Sequence, residues 1–537
     1  MSSTLSRYLL IAAIASLLFF PLLGQVHLFD WDEINFAECA REMIVTDNYL
    51  QVQIDYKPFW EKPPIFIWMQ VLAMKVFGIN EYAARFPNAL VGVITLLVLF
   101  YTGKRIVNEK MGMWWAAVYA ASWLPHFYFK SGIIDPTFNL FIFLAFFQVH
   151  LLRHGSNKWL HAILSGVFLG AAVLTKGPAA ILIAILAFGV YILFNRGLNG
   201  MKWLHLPVIA ISAFCTTSIW FGLEVINNGW WMVNEFITYQ IRLFSTEDAG
   251  HGGPFFYHFI ILLVGCFPAS LFLFHKPVKE EKSETEDFKR WMWVMFWVVL
   301  LLFSIVKTKI VHYSSLCYFP LTFIAALHIY NMVHHKDKVN GLVKGILVTI
   351  GGLLAVVITL LPVVGLAKDK LIPYIKDPFA VANLQADVAW SGAEAVWGIF
   401  YLTGIVTAFI LLRKSVLKGI VVLFVVQVII IQVTVAHFTP KIEAYSQRAA
   451  IEFFKVLQGK DVYVKVLGYK SYAHLFYSKK MPQANDNHYN EEWLLTGDVD
   501  KPTYFVCKLM QADKYRAMPQ LEEMGAKNGF VFFKRKQ

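Results

Sequence analysis

Charged residues are scarce in this chain, and several of them cluster where long apolar runs begin or end. The first cluster is Asp30-Trp31-Asp32-Glu33-Ile34-Asn35-Phe36-Ala37-Glu38. A carboxylate at a helix start just above a membrane can act as a general base when it reaches an acceptor proton. Asp30 or Asp32 can equally cap that helix and complement its dipole. The second cluster is Trp60-Glu61-Lys62-Pro63-Pro64, whose prolines keep Glu61 and Lys62 out of a regular helix. Held rigidly, the carboxylate suits a metal and the ammonium suits a phosphate; the plainer alternative is an interfacial turn with snorkelling charges. Ile134-Asp135-Pro136 places a further acid at the mouth of a helix, where proline fits the first helical position and Asp135 the cap. One residue can do both.

Cations stand at other helix ends, in Thr175-Lys176-Gly177-Pro178 and in Lys307-Thr308-Lys309 with His312-Tyr313. Gathered around one cavity, such cations would stabilise a departing phosphate as its charge develops. His251-Gly252-Gly253-Pro254 is a turn carrying an imidazole. A lone loop histidine is ordinarily a surface residue. With Glu61 it would complete a metal site, although no H-x-x-E or H-x-x-x-H spacing supports that pairing. The segment 228–254 also holds Trp230, Trp231 and Arg242.

The elements that position these groups are membrane helices. Of 537 residues, 57% are hydrophobic and 16% charged, whereas soluble domains hold about 25% charged residues. The net charge of +12 is spread over short loops between apolar runs, a positive-inside pattern that excludes a phosphate-tracking nucleic-acid surface. Five isolated cysteines form neither a disulfide framework nor a zinc site. The first run, Tyr8 to Leu23, lacks a small-residue cleavage site and reads as a retained helix.

Runs approaching the about 20 apolar residues of a span lie near 8–28, 84–103, 112–129, 135–152, 159–174, 177–194, 204–226, 255–274, 291–306, 311–330, 341–366, 392–412 and 417–437. Lysine and arginine in alternate loops (Lys104 and Arg105, Arg153 and Lys158, Arg196 and Lys202, 276–290, Lys336 and Lys338, Arg413 and Lys414) set those loops inside. The segments 30–82, 228–254 and everything after His437 then lie outside. Pro64 to Phe77 is too short to span and reads as an interfacial helix. Beyond Pro440 the composition is that of a soluble domain. Strands are expected at Asp461–Leu467, Thr503–Lys508 and Phe530–Lys534, and helices at Glu443–Leu457 and Gln511–Met524. The fold class is therefore an all-α polytopic membrane protein of about 13 spans over 1–437, with a small extracytoplasmic α/β domain at 438–537.

In order along the chain stand Asp32-Glu33, Ala37-Glu38, Arg41-Glu42-Met43, Tyr56, Phe59-Trp60-Glu61-Lys62-Pro63-Pro64, Phe77-Gly78 and Ala84-Arg85-Phe86-Pro87. Asp135-Pro136-Thr137, Leu174-Thr175-Lys176-Gly177-Pro178, His251-Gly252-Gly253-Pro254 and Lys307-Thr308-Lys309 with His312-Tyr313 and Pro320 continue the series. This series resembles the protein O-mannosyltransferase and aminoarabinose–lipid A transferase family of GT-C membrane glycosyltransferases. The resemblance implies a polyprenyl-phosphate sugar donor and inverting transfer to a lipid A-type glycolipid or a protein on the periplasmic face of a bacterial inner membrane. It implies Asp32 as the first-loop carboxylate and Asp135 as the second cavity acid. Lys62, Lys309 and Tyr313 would lie on the donor phosphate, and Glu61 and His251 would share a divalent metal (Zn, Mg or Mn) that organises the site without being required. Arg242 joins the donor-phosphate set through its place in the second outer segment. The chain departs from the aminoarabinose branch in having Lys309-Ile-Val-His-Tyr313 where that branch carries a Lys-Leu-Pro-Thr-Tyr-like run.

Two other classes compete with the enzyme. A transporter or flippase would place ionisable groups near the bilayer midplane, where this chain has almost none. A structural membrane protein with a sensor tail would explain the architecture but not the Glu-Lys-Pro-Pro series. The enzyme reading accounts for both, with partners that are the donor lipid, the acceptor and the membrane, and no nucleic acid.

Overall fold

The computed structural model describes residues 3–195, 197–198, 200–245, 252–276 and 283–536. Among them, nine helices are long and apolar enough to cross a membrane, from Glu81–Ile106 to Val416–Ala444. Four of the thirteen expected spans are shorter or broken. The first helix, Ser3–Phe19, stops before Pro21, since a proline disfavours helical backbone in the residue ahead of it. Residues 112–129 divide into Glu109–Ala120 and Trp123–Tyr128, with extended backbone at Ser122 between them. Residues 255–274 divide into Tyr257–Gly265 and a 3-10 turn at Ala269–Phe274 on either side of Pro268. Ala179–Asn195 remains helical but has 17 residues.

Close helix packing fixes the bundle. Lys158–Lys176 lies against both Asp135–His154 and His205–Asn228. The approach to His205–Asn228 requires two glycines, because a Cβ on Gly166 would fall 2.4 Å from the Ile209 carbonyl and one on Gly170 would fall 2.6 Å from Thr216 Cβ. Gly341–Leu366 and Ala395–Lys414 pack on each other and turn many leucines, isoleucines and valines outward, as lipid-facing helices do.

At one end of the bundle lies the segment 30–82. Asp32–Thr46 is a helix buried along most of its length, and Ile65–Phe77 is the expected short apolar helix. Between them a two-stranded ribbon, Gln53–Ile54 with Lys57–Pro58, turns through Asp55 and Tyr56, both at positive φ (55° and 58°). The Glu42 carboxylate holds this turn by accepting the Asp55 and Tyr56 amides at 2.7 and 2.8 Å. Burial and the neighbouring Glu38 push the Glu42 carboxyl well above the ordinary range. Arg41 donates twice to Glu38, at 2.6 and 2.7 Å. Glu38, Arg41, Glu42 and Tyr56 are thus framework, which accounts for their place in the motif series.

The C-terminal part is α/β, as expected. Its sheet runs Tyr463–Leu467, Thr503–Lys508, Phe530–Arg535, Leu521–Lys527, with the first pair parallel and the others antiparallel. Leu521–Lys527 is a strand, whereas the sequence predicts helix as far as Met524. Ala517, Met518, Pro519 and Gln520 separate it from the short helix Ala512–Arg516, and the antiparallel partner Phe530–Arg535 draws the segment beyond them into the sheet. The expected helix Glu443–Leu457 is two, Thr439–Ala444 and Arg448–Val456. This part seats on the outer loops: Tyr56 donates its hydroxyl to the Lys480 carbonyl at 2.5 Å, Lys480 pairs with Asp55 at 2.5 Å, and Tyr477 accepts the Leu28 amide at 2.6 Å.

Candidate active site

Beneath this cover lies a cavity of about 440 Å³, walled by the start of Asp32–Thr46, the Glu61-Lys62 turn, the heads of Asp135–His154 and Ala179–Asn195, and the 3-10 turn Val311–Cys317. Asp30, Asp32, Glu61, Lys62, Asp135, Lys176, Tyr239, His312 and Tyr313 all line it. Residues up to 287 positions apart in sequence (Phe29 and Leu316) thus share one space.

Asp32 and Asp135 are the first residues of their helices, yet neither is the cap; the caps are Trp31 and Ile134. Asp135 is 2% exposed, pairs with Lys176 at 2.5 Å, and keeps its other oxygen without a hydrogen bond. His312 Nε2 stands between the two acids, 3.6 Å from Asp32 and 3.8 Å from Asp135. Asp32 is more open, at 29%. That asymmetry suits one acid that meets a ligand and one that is held.

Glu33, next in sequence, does something different. Its carboxylate takes two bonds from Arg85, at 2.7 and 2.9 Å, and the amides of Phe29 and Gly132 at 2.8 and 2.6 Å. Burial alone would raise its pKa; the Arg85 charge and these bonds outweigh burial and hold it below the usual carboxylate range. Arg85 also donates to the carbonyls of Leu23, Val26 and His27. The pair therefore shapes the chain from 23 to 33 and delivers Asp32 to the cavity.

Asp30, read from sequence only as a capping alternative, accepts a hydrogen bond from Ser471 of the C-terminal part at 2.5 Å. Burial raises its carboxyl to about 6 against the opposing effects of Ser471 and Lys508. Lys470 lies 4.4 Å from the Trp31 ring, so the sheet domain reaches the rim of the cavity.

Lys62 projects over Tyr239, 5.7 Å from its ring, and Trp60 meets Trp231 edge to face, which joins the two outer segments. Tyr313 packs on Phe303, with the Lys176 ammonium 5.1 Å from its ring. Arg242 lies one helical turn beyond Tyr239, its guanidinium 5.2 Å from that ring, and does not line the cavity.

Lys309 departs from its expected role. Its ammonium donates to the carbonyls of Phe303, Ser304 and Val306 at 3.0, 2.6 and 2.5 Å, closing the end of helix Ser283–Ile305. Burial lowers its pKa, and it does not line the cavity. A lysine four residues past a helix end finds unpaired carbonyls three to six residues back, and they capture it. Lys176 and His312 take the positions inside; the sequence sets Lys176 among the helix-end cations suited to a departing phosphate and gives His312 no role of its own.

Glu61 lines the cavity, and His251 lies outside the described residues. Among the described residues, no three histidine, cysteine, aspartate or glutamate donors converge on Glu61.

A helical bundle with an outer loop layer, a small capping sheet domain and this charged cavity defines a polytopic membrane protein of the GT-C fold. Comparison with known proteins agrees with the motif series. The family model described as dolichyl-phosphate-mannose-protein mannosyltransferase matches residues 61–220. The chain is 27% identical over 360 residues to the undecaprenyl phosphate-alpha-4-amino-4-deoxy-L-arabinose arabinosyl transferase of Edwardsiella ictaluri, covering 64% of this chain and 63% of that relative. With the transferase of the same description from Enterobacter sp. (strain 638) it shares 26% over 391 residues, 69% of this chain and 67% of the relative. The matched region thus spans just under two thirds of the first of these relatives. In fold the likeness extends further. The chain superposes on the crystal structure of ArnT from Cupriavidus metallidurans bound to undecaprenyl phosphate with a TM-score of 0.76, over 98% of both chains at 17% identity.

Proposed function

We propose that this protein is a glycosyltransferase that moves a sugar from a polyprenyl-phosphate donor to an envelope acceptor, a lipid A-type glycolipid or a protein, with inversion at the anomeric carbon. The observation that carries the reading is the cavity, which sets Asp32 and Asp135 opposite Lys62 and Lys176 at the outer ends of helices, with His312 between the acids. A flippase reading does not use this arrangement, since its charges would line a path across the bilayer.

In the reaction the acceptor oxygen bonds to the anomeric carbon as the bond from that carbon to the phosphate oxygen breaks. When the acceptor is a hydroxyl, its proton passes to Asp32; an acceptor phosphate is already ionised, and Asp32 then only orients it. The lipid phosphate leaves with its full charge, and Lys62 and Tyr313 stabilise it at the cavity wall. Arg242 adds long-range positive charge at the approach. Asp135 and Lys176 hold each other, and His312 ties this pair to Asp32. A metal on Glu61 would need His251 or groups outside the described residues, so no step runs through it.

The undecaprenyl-phosphate specificity in the relatives' names and the ligand of the Cupriavidus structure support the donor class. The loop charge bias supports a bacterial inner membrane location with the cavity and sheet domain on the periplasmic side. Binding of undecaprenyl phosphate to the purified protein tests the donor site. Lys62→Ala should weaken binding and slow transfer by about 30- to 1000-fold, the size of a lost anion donor. Lys62→Arg should recover part, because a planar fork does not replace a compact ammonium. Parent-like binding and turnover in Lys62→Ala would remove this assignment.

A further inference from the structure

At the opposite end of the bundle from the cavity, two helix termini meet with a second set of ionisable groups. His150 and His154 stand four residues apart in the last turns of helix Asp135–His154, on one face. Glu284 and Asp287 stand three apart in the opening turns of helix Ser283–Ile305. Histidines at a helix C-terminus and acids at an N-terminus complement the two dipoles, which is the ordinary use of such residues.

The geometry goes beyond that use. His150 is 1% exposed, and both ring nitrogens face carboxylates at distances just beyond a normal hydrogen bond, so a buried imidazole is left without close partners. Its Nδ1 faces Asp287 Oδ2 at 3.6 Å, and its Nε2 faces Glu284 Oε1 at 3.5 Å. His154 Nε2 reaches the same Asp287 oxygen at 2.9 Å. One donor atom from each of His150, His154 and Asp287 falls within 4.8 Å of the others, the one such triad among the described residues. Ligands about 2.1 Å from a tetrahedral zinc ion stand roughly 3.4 Å apart, close to the 3.6 Å between His150 Nδ1 and Asp287 Oδ2, while His154 Nε2 would move out from its 2.9 Å hydrogen bond.

We propose that His150, His154 and Asp287 form a binding site for a zinc-like divalent transition metal, separate from the outer cavity. Two imidazoles and a carboxylate are a ligand set such ions favour, and a fourth position remains for water. Glu284 serves as the outer carboxylate: it accepts a hydrogen bond from His150 Nε2–H, which fixes the tautomer and leaves Nδ1 free to ligate. Arg105, 3.0 Å from Glu284, holds that carboxylate in place. Asp287 has its own supports in Tyr191 on Oδ1 and Arg153 on Oδ2 at 2.6 Å. The ion takes over Oδ2 from Arg153, so the site exchanges an internal cation for a metal. The ion would clamp the helix that begins at Asp135 to the helix whose far end gives Phe303 to the cavity.

The test uses the full chain in detergent, carrying Glu61→Ala and His251→Ala so that no metal at the outer cavity contributes. After zinc loading and desalting, this protein should retain about one zinc ion per chain and unfold at a higher temperature than its chelator-treated form. Adding His154→Ala should weaken zinc binding about 100-fold or more, beyond the loss typical of an outer-shell partner. Because His154→Ala can also disturb packing, Co²⁺ is the second probe: the protein without it should give the visible bands of a four- or five-coordinate cobalt centre with nitrogen ligands. Absence of stoichiometric zinc, or zinc and cobalt signals that persist in His154→Ala, would overturn the site and leave an ion-pair cluster.

Discussion

Asp32 and Glu33 are adjacent carboxylates whose surroundings assign them opposite work, and substituting each by its amide separates the two. Glu33 is 4% exposed and receives four hydrogen bonds, two of them from Arg85. Glu33→Gln keeps the shape but removes the charge that neutralises a buried guanidinium. Breaking one partner of a buried pair costs about 3–5 kcal/mol, and Arg85 retains the carbonyls of Leu23, Val26 and His27, which places the expected loss near the lower value. Asp32 is 29% exposed, with the His312 imidazole at 3.6 Å, so Asp32→Asn should leave stability within about 1 kcal/mol. Its turnover should fall about 100-fold or more if it accepts the acceptor proton, equivalent to about 2.7 kcal/mol of barrier. Thermal unfolding in detergent reads the first quantity, and transfer from an undecaprenyl-phosphate sugar, normalised to folded protein, reads the second. Glu33→Gln should unfold early, with activity per folded molecule within about 10-fold of the parent. Equal stability losses in the two variants, or near-normal transfer by Asp32→Asn, would refute the division of labour.

The same geometry sets three further outcomes. Lys176→Met strands the buried Asp135 carboxylate and should destabilise the protein by about 3–5 kcal/mol, read by thermal unfolding, with transfer lost as well. Lys309→Met should lower stability by about 1–3 kcal/mol through its three orphaned carbonyls, while undecaprenyl phosphate affinity stays within about two-fold, unlike Lys62→Ala. Asp30 is held at about 6 rather than 3.8, so the folded chain keeps its proton longer than the unfolded chain and stability falls as pH rises between those values. Asp30→Asn should remove that slope and add about 3 kcal/mol above pH 6, measured by unfolding across pH.

Apolar run length and loop charge sufficed to read the membrane bundle, the interfacial helix ending at Phe77 and the change of composition after Pro440. These are local quantities, set by how many consecutive residues avoid water and where lysine and arginine interrupt them. The acids Asp32 and Asp135 and the cation Lys62 were legible for the same reason: ionisable residues at the ends of apolar runs are rare enough to stand out. Chain geometry alone could not say which neighbours each would find. Lys309 and Lys176 look equivalent in sequence, both cations at helix ends, yet unpaired carbonyls absorb one and a buried carboxylate the other. Asp32 and Glu33 are likewise indistinguishable until Arg85, more than fifty residues away, arrives beside one of them. The strand Leu521–Lys527 needed its partner Phe530–Arg535, because Leu-Glu-Glu-Met-Gly-Ala-Lys has neither period-two alternation nor β-branched or aromatic residues of its own. The tertiary structure alone decided the pairing of charges. Desolvation makes each buried ion depend on a specific opposite group, and long-range packing determines which group that is.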